Sequence, residues 1–334
     1  MAQIPIKELE TLCLDALTKA GLSTEDAAII ADHLLENEYS GKASHGLVRV
    51  TQAIKALAEH GLPARGPELE FDNGSFARLN AHRHIGVLAV KQGMDIAAER
   101  AKAHGIAVVG IRNYIATSGS MTYYLRRLCT HGLIALMGCN SVALVAPPGG
   151  RKRMIGTNPV GIGIPSGESA HDPAMVADFA TSAIAYGKIL VMNDKGETIP
   201  EGVLIDKDGA PSTNPDDAYD GAILPLADYR GFALGLMMEL LAGPLIGGAA
   251  IKEDLYDNDG FFILAIDPKS MGNPLFYKQI HDAFDALHAC PPAPGSNGVT
   301  LPGERSFETL SCTRERGWVE VADKSLAAIR ELAA

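Results

Sequence analysis

The chain has 334 residues, 47% hydrophobic and 21% charged, so it buries a large core and has room for two domains rather than remaining disordered. Its 40 acidic and 29 basic residues leave a formal charge of -11, which argues against nucleic acid or an anionic membrane as a partner. Five scattered cysteines include no Cys-x-x-Cys pair, a usage that suits a reducing cytoplasm and offers no zinc site.

The start, Met1-Ala-Gln-Ile-Pro5, lacks a basic segment followed by an apolar core and does not read as a signal peptide. No uninterrupted apolar run of about eighteen residues is evident, so no membrane-spanning helix is expected. Helical spacing of apolar residues predicts helices over 6–21, 24–41 and 47–60. Ser23 and Thr24 are cap candidates for the second, with Glu25 and Asp26 in its first turn, and Gly61-Leu-Pro63 stops the third.

After a loop at 63–75 comes a helix over 87–104, closed by Gly105, and then a buried strand over Ile106–Ile111. A helix near 119–131 and a strand over 133–137 continue the alternation, which reads as α/β. Between 140 and 225 turn residues punctuate short strands, including Gly161–Ile164 and Met175–Phe179, a pattern of mixed sheet. A strongly apolar helix over 229–247, a strand over Phe261–Ile266 and a helix over 274–289 follow. The Pro- and Gly-rich run 291–298 is a connector to the tail. Three regions are expected: a helical cap over 1–75, an α/β nucleotide-binding domain over 76–290, and a 291–334 tail packing back on the cap.

The most informative run is Ser44-His45-Gly46-Leu47-Val48-Arg49. On one helix, His45 and Arg49 at i and i+4 would share a face. An Arg fork suits a carboxylate and a His passes a proton near neutral pH, so the pair suggests a site for a small carboxylic acid. Most His-x-x-x-Arg pairs are solvated surface, but Ser44 and Gly46 are poor mid-helix residues, so the backbone starts a helix or breaks here.

No Gly-x-Gly-x-x-Gly stands between a strand and a helix; Gly161-Ile-Gly163-Ile-Pro165-Ser166 fails at its last position. Three polar clusters could bind a nucleotide otherwise: Asn140-Ser141, Gly156-Thr157-Asn158-Pro159, and Asp178-Phe179-Ala180-Thr181-Ser182. Each alone is ordinary turn chemistry. His82-Arg83-His84 lacks a third ligand and is not taken as a metal site.

Ser44-His45-Gly46 with Arg49, Gly156 to Pro159, Asp178 to Ser182, Gly187-Lys188-Ile189 and Pro302-Gly303-Glu304 occur in order across most of the chain. In this the sequence resembles the malate/L-lactate dehydrogenase family, which also holds ureidoglycolate and sulfolactate dehydrogenases and cyclic imino acid reductases. The resemblance implies an α/β fold with a non-Rossmann NAD(P)-binding mixed sheet and a helical N-terminal substrate cap. It also implies a homodimer that moves a hydride between nicotinamide, as NAD or NADP, and the carbon beside a carboxylate.

The expected function is therefore a 2-hydroxy acid dehydrogenase working on a small 2-oxo acid. The alternatives are a reductase of piperideine- or pyrroline-2-carboxylate and a catalytically silent ligand-binding relative. By resemblance Ser44, His45, Arg49 and Thr157 would bind substrate, and His45, Arg49 and Lys188 would carry the chemistry. Cofactor contacts would come from His45, Asn140, Ser141, Thr157, Asp178, Phe179 and Ala180, with Arg230, Gly303 and Arg305 further along the chain.

Two departures stand out. The family usually places a His in an Asn-Ser-x-His-Phe-Gly loop, and here Ala116 falls near that position within Arg112-Asn-Tyr-Ile-Ala-Thr-Ser-Gly-Ser120. Alanine moves no proton, which leaves His45 first, then Lys188, Tyr114, Ser118 and Ser120, as substitutes. Asp228-Tyr-Arg230-Gly also stands where Gly-Tyr/His-Lys-Gly is common, and Arg changes the geometry at a phosphate.

Overall fold

The computed structural model describes residues 1–169, 174–254 and 256–334. A short strand β1 (Ala2–Pro5) leads into α1 (Ile6–Lys19), α2 (Thr24–Tyr39) and α3 (Leu47–His60). The Ser23 hydroxyl accepts the Asp26 N–H at 3.0 Å and starts α2, as its cap residues predict. Next come β2 (Glu68–Asp72), β3 (Phe76–Asn80), α4 (Gly86–His104), β4 (Ile106–Tyr114), α5 (Met121–Thr130) and β5 (Ile134–Cys139). Strands β6 (Val160–Pro165) and β7 (Ala174–Phe179) precede α6 (Tyr186–Asp194) and the short β8 (Leu204–Ile205), β9 (Pro211–Ser212) and β10 (Ala222–Ile223). The chain closes with α7 (Tyr229–Ala242), β11 (Asp259–Ile266), α8 (Phe276–His288), α9 (Glu304–Arg316), β12 (Trp318–Val321) and α10 (Asp323–Ala333).

Among the described residues the main sheet has seven strands in the order β2-β3-β4-β11-β5-β6-β7. Only β3 and β4 run parallel; every other neighbouring pair is antiparallel. A Rossmann sheet needs parallel strands joined by crossover helices, so this sheet is of another kind. Strand residues alternate between faces. Val109, Ile111, Ala135, Met137 and Ile263 face α4 and α5 and form one core with Met94, Ala97, Leu125 and Leu128. The opposite face carries α7, and glycines let it approach: a Cβ at Gly138 would meet Met238 Sδ at 1.8 Å, and one at Gly260 would meet the Ala242 carbonyl at 1.6 Å.

A second core joins the two chain ends. Leu9, Leu17, Ile30, Leu34 and Val50 from the first three helices pack with Leu310, Val321 and Ile329. The tail beyond the 291–298 connector is therefore two helices and a strand, with β12 paired antiparallel to β1, elements that were not assigned from sequence. Strand β2 likewise lies inside the stretch read as loop, and α6 was not foreseen.

The expectation about spanning length also needs correcting. The 18-residue window Tyr229–Ile246 has a mean hydropathy of 1.2, enough by length and composition to cross a membrane. In the fold α7 stops at Gly243, and the buried Glu239 carboxylate near its end is hydrogen-bonded to Asn140 and Asn158. One face of the helix packs on the sheet against Gly138 and Gly260, while Met237, Leu240 and, just beyond it, Leu245 stay exposed.

Candidate functional site

Antiparallel register brings distant segments to one edge of the sheet. Gly138 of β5 lies across from Val160 of β6, which lies across from Phe179 of β7, and Cys139 lies across from Phe261 of β11. The ends of β5 and β7 and the starts of β6 and β11 thus meet, with Ser141, Thr157 and Asp178 to Ala180 among them. The Thr157 carbonyl accepts from the Thr181 N–H at 3.0 Å and from its hydroxyl at 3.1 Å. Gly156 has no room for a side chain, because a Cβ there would sit 2.4 Å from Ser141 Oγ.

The cap contributes the Ser44–Arg49 run, but not as one helix. Ala43–His45 is a single 3-10 turn, and the backbone breaks at Gly46 before α3 begins. The break has a cause in α2: the Glu38 carboxylate accepts the Leu47 N–H at 2.8 Å and caps α3. A Cβ at position 46 would lie 2.0 Å from that carboxylate. His45 and Arg49 stay close by another route, since Arg49 Nε donates to the Ser44 carbonyl at 2.8 Å and Nη1 to Gln52 at 2.6 Å. Among the described residues Nη2 has no acceptor. Ser44 Oγ and His45 Nδ1 lie 3.1 Å apart, which leaves the imidazole Nε2 open.

Facing this turn is Asp178, one of the residues expected to contact the cofactor. One of its oxygens, Oδ2, accepts from Ser120 Oγ at 3.0 Å, Thr122 N at 3.0 Å and Thr122 Oγ1 at 2.9 Å. Its Oδ1 takes no donor from the described residues. Lys42 closes the cluster by donating to Thr122 Oγ1 at 2.6 Å. Burial, with Arg49 and Lys42 adding to it and Asp178 opposing, pushes the His45 imidazole down to about 4. Burial likewise lowers Lys42 against the pull of Asp178.

An open groove of about 440 Å³ runs beside the cluster, lined by Lys42, Val176 to Phe179, Pro302, Gly303 and Ser306. Pro302 docks on the edge strand, its carbonyl accepting the Val176 N–H at 2.9 Å. Gly303, at φ +99°, turns the chain into α9 so that the helix N-terminus meets the groove. Free backbone N–H groups there suit a phosphate, and Arg305 stands in the same first turn. An acid with one open oxygen, an open groove and a helix N-terminus together fit a dinucleotide.

Other candidates fall elsewhere. Asn140 is buried, and its amide serves the interior: Nδ2 donates to the Ala249 carbonyl at 2.6 Å and to Glu239 at 3.4 Å, while Oδ1 accepts from Lys252 Nζ and the Gly260 N–H. That leaves it no donor for a cofactor. Tyr114 points into the core, its hydroxyl near the Gly260 carbonyl, and burial raises it well above the ordinary tyrosine range. Lys188 is exposed in the first turn of α6, with no bond to the Ser44–Arg49 turn, and Arg230 is exposed at the start of α7 over the Tyr229 ring. Ala116 sits at φ +59° and offers no proton.

Sequence reading missed Lys42, Thr122 and Ser306. Lys42 stands two residues before Ser44 and could have been noticed; the other two become visible only through the fold.

Three comparisons bear on the site. The model of a family described as malate/L-lactate dehydrogenase matches residues 4–330. The L-sulfolactate dehydrogenase of Methanothermobacter thermautotrophicus is 34% identical over 332 residues, covering 96% of this chain and 93% of that one. A ureidoglycolate dehydrogenase (NAD(+)) of Escherichia coli is 34% identical over 313 residues, covering 90% and 88%. Among solved structures, the delta1-piperideine-2-carboxylate reductase of Pseudomonas syringae superposes with a TM-score of 0.88 at 27% identity, over 99% of this chain and 100% of that one.

Proposed function

The chain belongs to the malate/L-lactate dehydrogenase family, and on that premise we propose that it reduces a small 2-oxo acid with a nicotinamide cofactor, Arg49 holding the carboxylate and His45 delivering the proton. The carrying observation is that Arg49 Nη2, His45 Nε2 and Asp178 Oδ1 take no partner among the described residues, while Asp178 and Lys42, whose charges act on His45, line the groove. When bound, the nicotinamide supplies the hydride to the substrate's second carbon. The chain's own residues bind, orient and protonate.

Arg49 is held by Ser44 and Gln52 with one edge of its fork free, the geometry a carboxylate needs. In the free protein the Arg49 charge helps to keep His45 neutral at pH 7. A bound carboxylate offsets that charge and lifts the imidazole toward the range where it can carry and release a proton. Ser44 beside Nδ1 sets the ring so that Nε2 faces the reacting oxygen. Asp178, Gly303 and Arg305 would hold the dinucleotide, as NAD or NADP, along the groove. Lys188 would act only if the substrate complex brings it closer.

A second reading, reduction of a cyclic 2-imino acid, draws support from Ala116, since a protonated imine needs no donor in that loop. The exposed apolar row Met237, Leu240 and Leu245 on and after α7 supports pairing with a second copy of the chain. Five unpaired cysteines support a reducing cytoplasm. The test is turnover of a 2-oxo acid panel and of pyrroline- and piperideine-2-carboxylate, with NADH and with NADPH. The wild type should turn over at least one 2-oxo acid, and His45→Ala should lose about 10²–10⁴-fold in kcat. Turnover of imines alone would replace the first reading with the second, and an undiminished His45→Ala would remove His45 as the donor.

A further inference from the structure

His33 lies in α2, outside the groove, and is fully buried at 0% exposure. Its Nε2 accepts the Ser120 N–H at 2.9 Å across 87 residues of chain. Gly119, at φ +80°, rests on the imidazole: a Cβ there would be 2.0 Å from Nε2. The ring is clamped by Tyr123 at 4.1 Å and Tyr124 at 4.8 Å between centroids, and Arg127 lies over the Tyr123 ring. Nδ1 has no partner.

That last fact is informative. A buried nitrogen without a partner costs about 1–3 kcal/mol, and a leucine of similar bulk would avoid it. The one thing a leucine could not do is accept the Ser120 N–H. Residue 120 begins the step toward the groove, because Ser120 Oγ and both Thr122 donors converge on Asp178 Oδ2. An Oδ2 held by three donors leaves Oδ1 aimed by the same framework.

We propose that His33 is a positioning residue for the dinucleotide: it anchors the 119–120 backbone so that Ser120 and Thr122 hold Asp178 in the orientation the cofactor requires. The inference rests on the reading that Asp178 touches the cofactor. It also explains why Gly119 must be glycine, since any side chain would lift the loop off the ring. Acceptance at Nε2 needs an unprotonated ring, and burial, reinforced by Arg127 and His45, holds His33 well below the ordinary histidine range.

The experiment is titration of NADH and NADPH into the full-length wild type, His33→Leu, His33→Gln and Gly119→Ala, followed by nicotinamide fluorescence, with steady-state kinetics and thermal melts alongside. His33→Leu should weaken cofactor binding and raise its KM about tenfold, the worth of one buried hydrogen bond, with kcat at saturation within about twofold. His33→Gln, whose amide oxygen can accept the same N–H, should recover binding to within about threefold of wild type. Gly119→Ala should mimic His33→Leu, and the double variant should be no worse than either alone.

A folded His33→Leu that binds like wild type overturns the proposal. So does a His33→Gln as weak as His33→Leu, which would make the ring mere filling. If His33→Leu does not fold, His33→Gln and Gly119→Ala decide between these outcomes. A wild type that binds neither NADH nor NADPH would instead overturn the reading of the groove itself.

Discussion

At one edge of the sheet stand two polar clusters built from similar residues. The first joins Lys252, Asp259, Asn140, Asn158 and Glu239. Each is buried, Lys252 is ion-paired with Asp259, and most of their donors and acceptors serve one another; Asn158 Oδ1 is the cluster's one fully buried atom without a partner among the described residues. The second joins Lys42, Ser44, His45, Arg49 and Asp178; it is half-buried, Lys42 and Asp178 line the groove, and three of its polar atoms take no partner among the described residues. A count of charged and amide side chains would rank the first cluster higher as a site. Hydrogen-bond accounting reverses the order, because a group already satisfied inside the protein has nothing left for a ligand.

The contrast can be broken at either end. The largest effect is expected in the interior. Lys252→Met strands the Asp259 carboxylate, which burial already disfavours as a charge, and should cost about 3–5 kcal/mol of stability by chemical denaturation. Turnover per folded molecule should not change; a stable variant with lost activity would move that cluster into the site.

Arg49→Met should behave in the opposite way. Loss of about 2–4 kcal/mol in kcat/KM, seen first as a raised KM for the acid, should accompany an unchanged melting midpoint. A large drop in stability would mean that Arg49 is structural after all.

The smallest effect is on pH dependence. His45 titrates at about 4 in the folded chain against an ordinary value of 6.5, so the unfolded chain binds the extra proton first as pH falls. Stability therefore rises with pH between about 4 and 6.5 and is flat above that window. Lys42→Gln removes one of the cations that lower His45 and should shallow this slope in melts taken across the window. An unaltered slope would show that Lys42 and His45 do not interact.

How much of this could be read beforehand differs from residue to residue. Ser23, Gly105 and the 3.6-residue spacing of α1 to α3 mark their elements through neighbours in sequence, and the structure agrees. The Ser44–Arg49 run was singled out on two grounds: a shared i, i+4 helix face, which the structure replaces, and a backbone break at Ser44 to Gly46, which it has. Its residues do meet, but through a turn broken at Gly46 by a glutamate eight positions upstream. Helices α9 and α10 were not assigned, since the stretch after the 291–298 connector was read only as a tail packing back on the cap.

Residue chemistry and short-range backbone preference were determined by the sequence alone: which segments coil, where they stop, and that a cation and an imidazole stand together near the N-terminus. Tertiary structure alone decided which polar groups remain free. Asn140 and Asp178 both stand at the ends of short strands and read alike in isolation. Antiparallel pairing of β11 beside β5 brings Lys252 and Gly260 onto Asn140 and saturates it. The end of β7 instead meets Ser120, Thr122 and Lys42 at an edge with a groove, and one carboxylate oxygen stays open. The physical reason is that hydrogen-bonding capacity and desolvation belong to the set of side chains that meet, and that set is assembled across 56 to 120 residues of chain.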